Sequence, residues 1–170
     1  MQTKNLELLN EEFKKIRALG YVKSARKGYT GVGKTLEDLL GKKEDNLDMP
    51  DYNGIEIKTK LGYTNSYTTL FNLKPSGIEM KELCMRYGYP DKETNKNILN
   101  VSITSASTLI SNRYYFNLKI DYKSKKILLI IKNRIGQVLE DNIYWSFEQL
   151  EQKINKTLQL VALVYAWPTT

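Results

Sequence analysis

Between Ile55 and Leu61 the chain alternates strictly, with Ile55, Ile57, Thr59 and Leu61 on one side and Glu56, Lys58 and Lys60 on the other. Successive side chains on a strand point to opposite faces, so this segment predicts a β-strand with one apolar and one charged face. The apolar face has to be buried against another layer. Helical patterns on both sides of the segment supply candidates. Leu6, Leu9, Phe13 and Ile16 recur at helical spacing until Gly20, which predicts a helix over 4–19. A glycine turn follows, and then a short helix over about 35–40, with Thr35 as N-cap, Gly41 beyond its end, and Leu36, Leu39 and Leu40 on its apolar side.

The later sequence continues the mixture. A polar loop rich in Asp and Asn leads to Pro50 and Gly54, and residues 68–71 predict another strand. Ser76 and Glu79 have the spacing of a capping box for a helix through Met80, Leu83, Cys84 and Tyr87, closed by Gly88. Residues 98–104 read as a strand, and 114–120 with 127–132 as an antiparallel hairpin turning at 123–126. Ser146 with Gln149 marks a further helix start, with Phe147, Leu150, Ile154 and Leu158 on its buried side. Residues 160–167 predict a last strand. Without repeats or linkers, 170 residues predict one domain with an α/β or α+β core.

Composition narrows the chemistry. The chain has no His and one Cys, Cys84, which removes His-dependent nucleophiles, His metal ligands, internal disulfides and Cys-rich zinc sites. Carboxylates, Lys, Tyr and a hard cation held by oxygen ligands remain. The 26 basic and 19 acidic residues leave a net charge of +7, which favours an anionic partner, nucleic acid being the commonest. No apolar run approaches the ~20 residues of a membrane span and no signal segment opens the chain, so a cytoplasmic protein with a reduced thiol is expected.

Two motifs compete. Gly28-x-x-x-x-Gly33-Lys34-Thr35 fits the phosphate-binding P-loop letter for letter. A P-loop needs a buried apolar strand feeding the glycine turn, whereas residues 21–27 carry three cations. The second motif is Asp51 followed across a Gly turn by Glu56-Ile57-Lys58. Two carboxylates and a Lys are the minimal set for metal-assisted phosphodiester hydrolysis. A carboxylate two residues before a Lys also occurs at Glu12, Glu79, Asp121 and Glu151. Three of these fall on predicted helices, where i and i+2 diverge, and Asp121 runs into a turn. Glu56 and Lys58 alone share a strand face.

The stretch from Gly31 through Glu37 and Gly41 to Asn46, then Pro50-Asp51, Gly54-Ile-Glu56-Ile-Lys58-Thr59 and Thr69-Leu-Phe71 with Pro75, resembles the MvaI/BcnI restriction endonucleases, MutH-like members of the PD-(D/E)XK superfamily. The resemblance is strong over 28–76 and looser over 98–165. It implies a restriction-endonuclease-like (MutH-like) α/β fold, with a central mixed sheet flanked by helices. It implies Glu37, Asp51, Glu56 and Lys58 as the catalytic group, with Asp51, Glu56 and the carbonyl of Ile57 holding Mg²⁺, for which Mn²⁺ can substitute.

The partner implied is double-stranded DNA, cut by a type II restriction enzyme acting as a monomer. The alternatives are a nicking repair endonuclease, a silent DNA-binding remnant, or the P-loop protein. Lys34, Lys60, Arg113, Lys132 and Arg134 are candidate DNA contacts. Family members run on past the length of this chain, so the expectation is an endonuclease domain over 1–170 that lacks its C-terminal part.

Overall fold

The computed structural model describes residues 2–28, 30–41, 50–62 and 64–167. The polar loop after Gly41, Asn46 included, lies outside the described residues, as does the chain after Trp167. In chain order the elements are α1 (Gln2–Ala18), α2 (Gly31–Leu39), β1 (Glu56–Leu61), α3 (Met80–Tyr87), β2 (Tyr89–Pro90), β3 (Asn97–Ile98), β4 (Thr108–Ile110), β5 (Tyr114–Asp121), β6 (Lys126–Asn133), β7 (Val138–Ser146), α4 (Phe147–Thr157) and β8 (Val161–Ala166). They divide between two compact units, Met1–Asn72 with Gln152–Thr170, and Leu73–Glu151.

In the first unit β1 pairs in parallel with β8, Glu56 opposite Val161 and Leu61 opposite Ala166. The apolar stripes of both helices meet this ribbon. Leu9 and Phe13 of α1, Leu36 and Leu40 beside α2, Ile57, Ala162 and Val164 line one small apolar cavity of about 290 Å³. Leu9, Leu36 and Ile55 are buried. The alternation in β1 thus does what it predicts, turning Ile57 to the helices.

The second unit is built on an antiparallel sheet in the order β4-β5-β6-β7. Phe116, Leu129, Ile131 and Ile143 form its core with Leu83 and Tyr87 of α3. Tyr87 makes edge-on ring contacts with Tyr114 and Phe116, and its hydroxyl donates to Glu140 at 2.8 Å. The capping box at α4 forms: Gln149 N–H donates to the Ser146 hydroxyl, and Gln149 Oε1 accepts the Ser146 N–H, both at 3.1 Å. The α/β class stands, with the strands apportioned among several sheets.

Local readings fail where tertiary contacts outweigh them. Helix α2 begins at Gly31, four residues before the expected start, with Thr30 as N-cap. Glycine suits both positions inside it, because a Cβ at Gly31 would lie 2.4 Å from the Arg26 carbonyl oxygen and one at Gly33 3.3 Å from Thr59. Ser76 does not cap α3; its backbone exchanges hydrogen bonds with Tyr144, and Glu79 stands at the N-cap without a side-chain bond. Residues 68–71 form no strand, and of 98–104 only Ile98 is paired, in the two-residue β3. Ile154 is exposed rather than buried. Strand β7 escapes the alternation rule because Glu140, Asp141 and Asn142 interrupt its apolar run.

Two outcomes follow. Ala is the better helix former by about 1 kcal/mol, yet Gly31→Ala is expected to destabilise the protein by about 1–3 kcal/mol in urea denaturation, because backbone at Arg26 has to move. Burial first, then the bond to Glu140, pushes the Tyr87 phenol up from its ordinary 10 to about 12. The folded state holds the neutral phenol, so its contribution is complete below pH 10 and disappears as pH rises through 12. Stability measured across that window should fall less in Tyr87→Phe than in the parent.

Candidate active site

The site starts from a tight turn. Tyr52 and Ile55 exchange both backbone hydrogen bonds, at 2.9 and 2.8 Å, around Asn53 and Gly54 at φ 46° and 85°. Two successive residues with positive φ make a two-residue type I′ turn, for which Asn-Gly is the favoured sequence. The next residues outward are Asp51 and Glu56, so the turn brings the two carboxylate-bearing positions to face one another. Asp51 Oδ2 accepts the N–H of Ile57 at 2.8 Å, which anchors it across the opening of β1. Helix α1 holds the turn from outside, since the Asn5 amide donates to the Asn53 carbonyl at 2.8 Å. Sequence reasoning missed Asn5, 48 residues away and without a motif of its own.

On β1, Glu56 and Lys58 are two residues apart on one face and form an ion pair at 2.6 Å. Their side chains are only 12% and 23% exposed, so the pair is poorly screened. Their register partners on β8 are Val161 and Leu163, and Lys60 stands opposite Tyr165. The neighbouring strand offers no competing charge to this face.

Glu37 projects from α2 into an open cleft of about 790 Å³ that Lys34, Lys58 and Lys60 also line, with Thr64, Ser66, Thr68 and Thr69 on another wall. The structure therefore gathers Glu37, Lys58, Lys34 and Lys60 around one cavity, while the turn and the ion pair tie Asp51 and Glu56 to Lys58. Lys34 is bonded to Asp38 at 2.7 Å. Arg113, Lys132 and Arg134 belong to the second unit. Arg113 donates to the Gly88 carbonyl and lies 5.3 Å over the Tyr114 ring, roles internal to the fold. Lys132 is half-buried and Arg134 exposed.

The P-loop reading loses its structural basis. Residues 21–28 form no strand, and residues 31–35 are already helical. The Thr35 hydroxyl donates to the Gly31 carbonyl and accepts from Ala25 N–H, at 2.7 and 2.9 Å. Among the described residues no group of three or more His, Cys, Asp or Glu is arranged to hold a metal. Asp51, Glu56 and the Ile57 carbonyl form a hard, all-oxygen set of low charge. That suits Mg²⁺, which binds through one or two carboxylates and keeps several waters. Among the described residues no helix is long and apolar enough to cross a membrane.

The family profile of the MvaI/BcnI restriction endonucleases matches residues 10–167. No curated protein matches the chain significantly. Among solved structures, restriction endonuclease MvaI in complex with its cognate DNA substrate is 36% identical with a TM-score of 0.91, over 97% of this chain and 68% of that one. MvaI in the absence of DNA is 35% identical with a TM-score of 0.55, over 94% of this chain and 65% of that one. The chain spans about two thirds of the length of these solved relatives.

The Asp51 anchor has a measurable consequence. Asp51→Ala leaves the half-buried N–H of Ile57 without its side-chain acceptor, an expected loss of about 1–3 kcal/mol in chemical denaturation. Asp51→Asn retains a carbonyl oxygen at the same place and should recover most of it.

Proposed function

Because the chain belongs to the MvaI/BcnI restriction endonuclease family, whose enzymes are type II site-specific deoxyribonucleases, we propose that it cuts duplex DNA with Mg²⁺ through Glu37, Asp51, Glu56 and Lys58. The observation that carries this reading is the half-buried Glu56–Lys58 pair on β1, with Asp51 anchored to the same strand across the Asn53-Gly54 turn.

Asp51, Glu56 and the Ile57 carbonyl would hold the cation, with Mn²⁺ able to replace Mg²⁺. When bound, it supplies positive charge to the scissile phosphate and makes a neighbouring water more acidic. Lys58, its ammonium already held by Glu56, orients the attacking water by hydrogen bonding and offsets the negative charge that grows on the phosphorus oxygens. Water attacks phosphorus in line, the 3′-oxygen departs, and the new ends carry 5′-phosphate. Glu37 adds negative charge from the α2 side of the cleft and tunes the site or meets a second cation. Lys34 and Lys60 line the same cleft and contact flanking phosphates. Cleavage of DNA and a single thiol, Cys84, both suit the cytoplasm.

Purified protein incubated with plasmid DNA and Mg²⁺ is expected to release discrete fragments, and to stop when EDTA removes the metal. Asp51→Asn and Lys58→Ala should each lower the single-turnover rate by at least about 10²-fold while DNA binding persists. Accumulation of nicked circles alone would favour the repair-type nicking reading. Binding with no cleavage under any divalent ion would make the chain a silent DNA-binding remnant.

A further inference from the structure

We propose that Asn5, near the start of α1, is a positioning residue for the cation site: its bond to the Asn53 carbonyl holds the Asn53-Gly54 turn in the geometry that sets Asp51 against Glu56. This rests on the endonuclease reading above. Asp51 and Glu56 flank the turn that Tyr52 and Ile55 close, so the chain between the two carboxylates runs through Asn53 and Gly54. A change in the dihedrals of those two residues changes the spacing of the carboxylates.

The turn sequence alone does not choose that geometry. Gly54 at φ 85° fits the observed type I′ turn and equally a type II turn, which asks for positive φ only at its second central residue. Asn53 at φ 46° sits in the left-handed region, which Asn tolerates but which is less favourable than the negative φ of a type II turn. A type II turn directs the central carbonyl elsewhere and splays the strands that it joins. Packing does not decide between the two. Asn53 and Gly54 are exposed, and a Cβ at Gly54 would meet nothing within 4 Å. The Asn5 amide, 2.8 Å from the Asn53 carbonyl, rewards one direction of that carbonyl and so selects the observed turn.

Asn5 can do this because its helix is itself fixed. One turn further along α1, Leu9 is buried, and Leu9 and Phe13 line the apolar cavity together with Ile57. Ile57 is also the residue whose N–H holds Asp51. Helix α1 thus grips β1 through its apolar side and the turn before β1 through its amide. Mg²⁺ demands near-ideal ligand geometry, so a loosened turn is felt first as weaker cation binding rather than as slower chemistry.

The test titrates the full chain with Mn²⁺ in the absence of DNA, following the electron paramagnetic resonance signal of the free ion. Single-turnover cleavage across a Mg²⁺ series is measured in parallel. The variants are Asn5→Ala and Asn5→Leu, the second of similar size but without a donor. Leu9→Val is the control, since it trims the buried side of α1 and leaves the Asn5 amide in place. Both Asn5 variants are expected to weaken Mn²⁺ binding roughly 10-fold and to raise the Mg²⁺ midpoint of cleavage by a similar factor, with the rate at saturating Mg²⁺ within about 2-fold of the parent. Leu9→Val should lower the melting temperature and keep the parent's Mn²⁺ affinity. An equal weakening in Leu9→Val, or a slower saturating rate with no shift of the midpoint, overturns the proposal. If the parent binds Mn²⁺ and cuts DNA but the Asn5 variants match it, this inference alone falls. A parent that neither binds Mn²⁺ nor cuts DNA overturns the endonuclease reading along with it.

Discussion

The parallel pairing of β1 with β8 is the contact on which the rest of the first unit depends. It joins strands about a hundred residues apart, and it turns Glu56, Lys58 and Lys60 to one face and Ile57 to the helices. A single strand with one charged face has no reason to stay extended in water. Paired with β8 and covered by α1 and α2, it becomes a platform whose side-chain directions are set by the pleat. A one-residue slip in this register would carry Glu56 and Lys58 into the apolar layer, so burial of Ile57 also enforces the placement of the charges.

That placement leaves the charges dependent on one another. Val161 and Leu163 stand opposite Glu56 and Lys58, so the pair is its own counter-ion. Asp51 joins through a different device, a type I′ turn whose positive φ values only Asn and Gly adopt at little cost. Asn5 then fixes the outer carbonyl of the same turn. The arrangement uses oxygen and amine ligands alone, which accords with a chain that has no His.

The second unit solves a different problem. Its core, with Phe116, Ile131 and Ile143 fully buried, supports a sheet whose hairpin ends are polar and cationic. Several of its polar side chains have structural duties: Arg113 on Gly88, Trp145 on the Leu73 carbonyl, Glu140 on Arg86 and Tyr87. Both of its hairpin turns are tied by their own hydrogen bonds, through Asp121 and through Asn133, and each exposes a large side chain, Tyr122 and Ile135.

Much of this was legible in the residues. Alternation over 55–61 and the spacing of Leu6, Leu9 and Phe13 express local geometry, so β1 and α1 follow directly from pattern. The Ser146–Gln149 cap is likewise short-range and forms as expected. Glu56 and Lys58 share a face on any strand, whatever it pairs with. What no local rule contains is which strand pairs with β1, that Arg26 and Thr59 approach Gly31 and Gly33 too closely for a larger side chain, or that Ser76 bonds Tyr144 rather than capping α3. The sequence by itself determined the chemistry, carboxylates and Lys on one strand face, because side-chain direction along a strand is a property of the backbone. Only the tertiary structure decided that Glu37, Lys58 and Lys60 share a cleft and that β8 walls the charged face with apolar residues, because those contacts join segments whose separation along the chain carries no periodic signal.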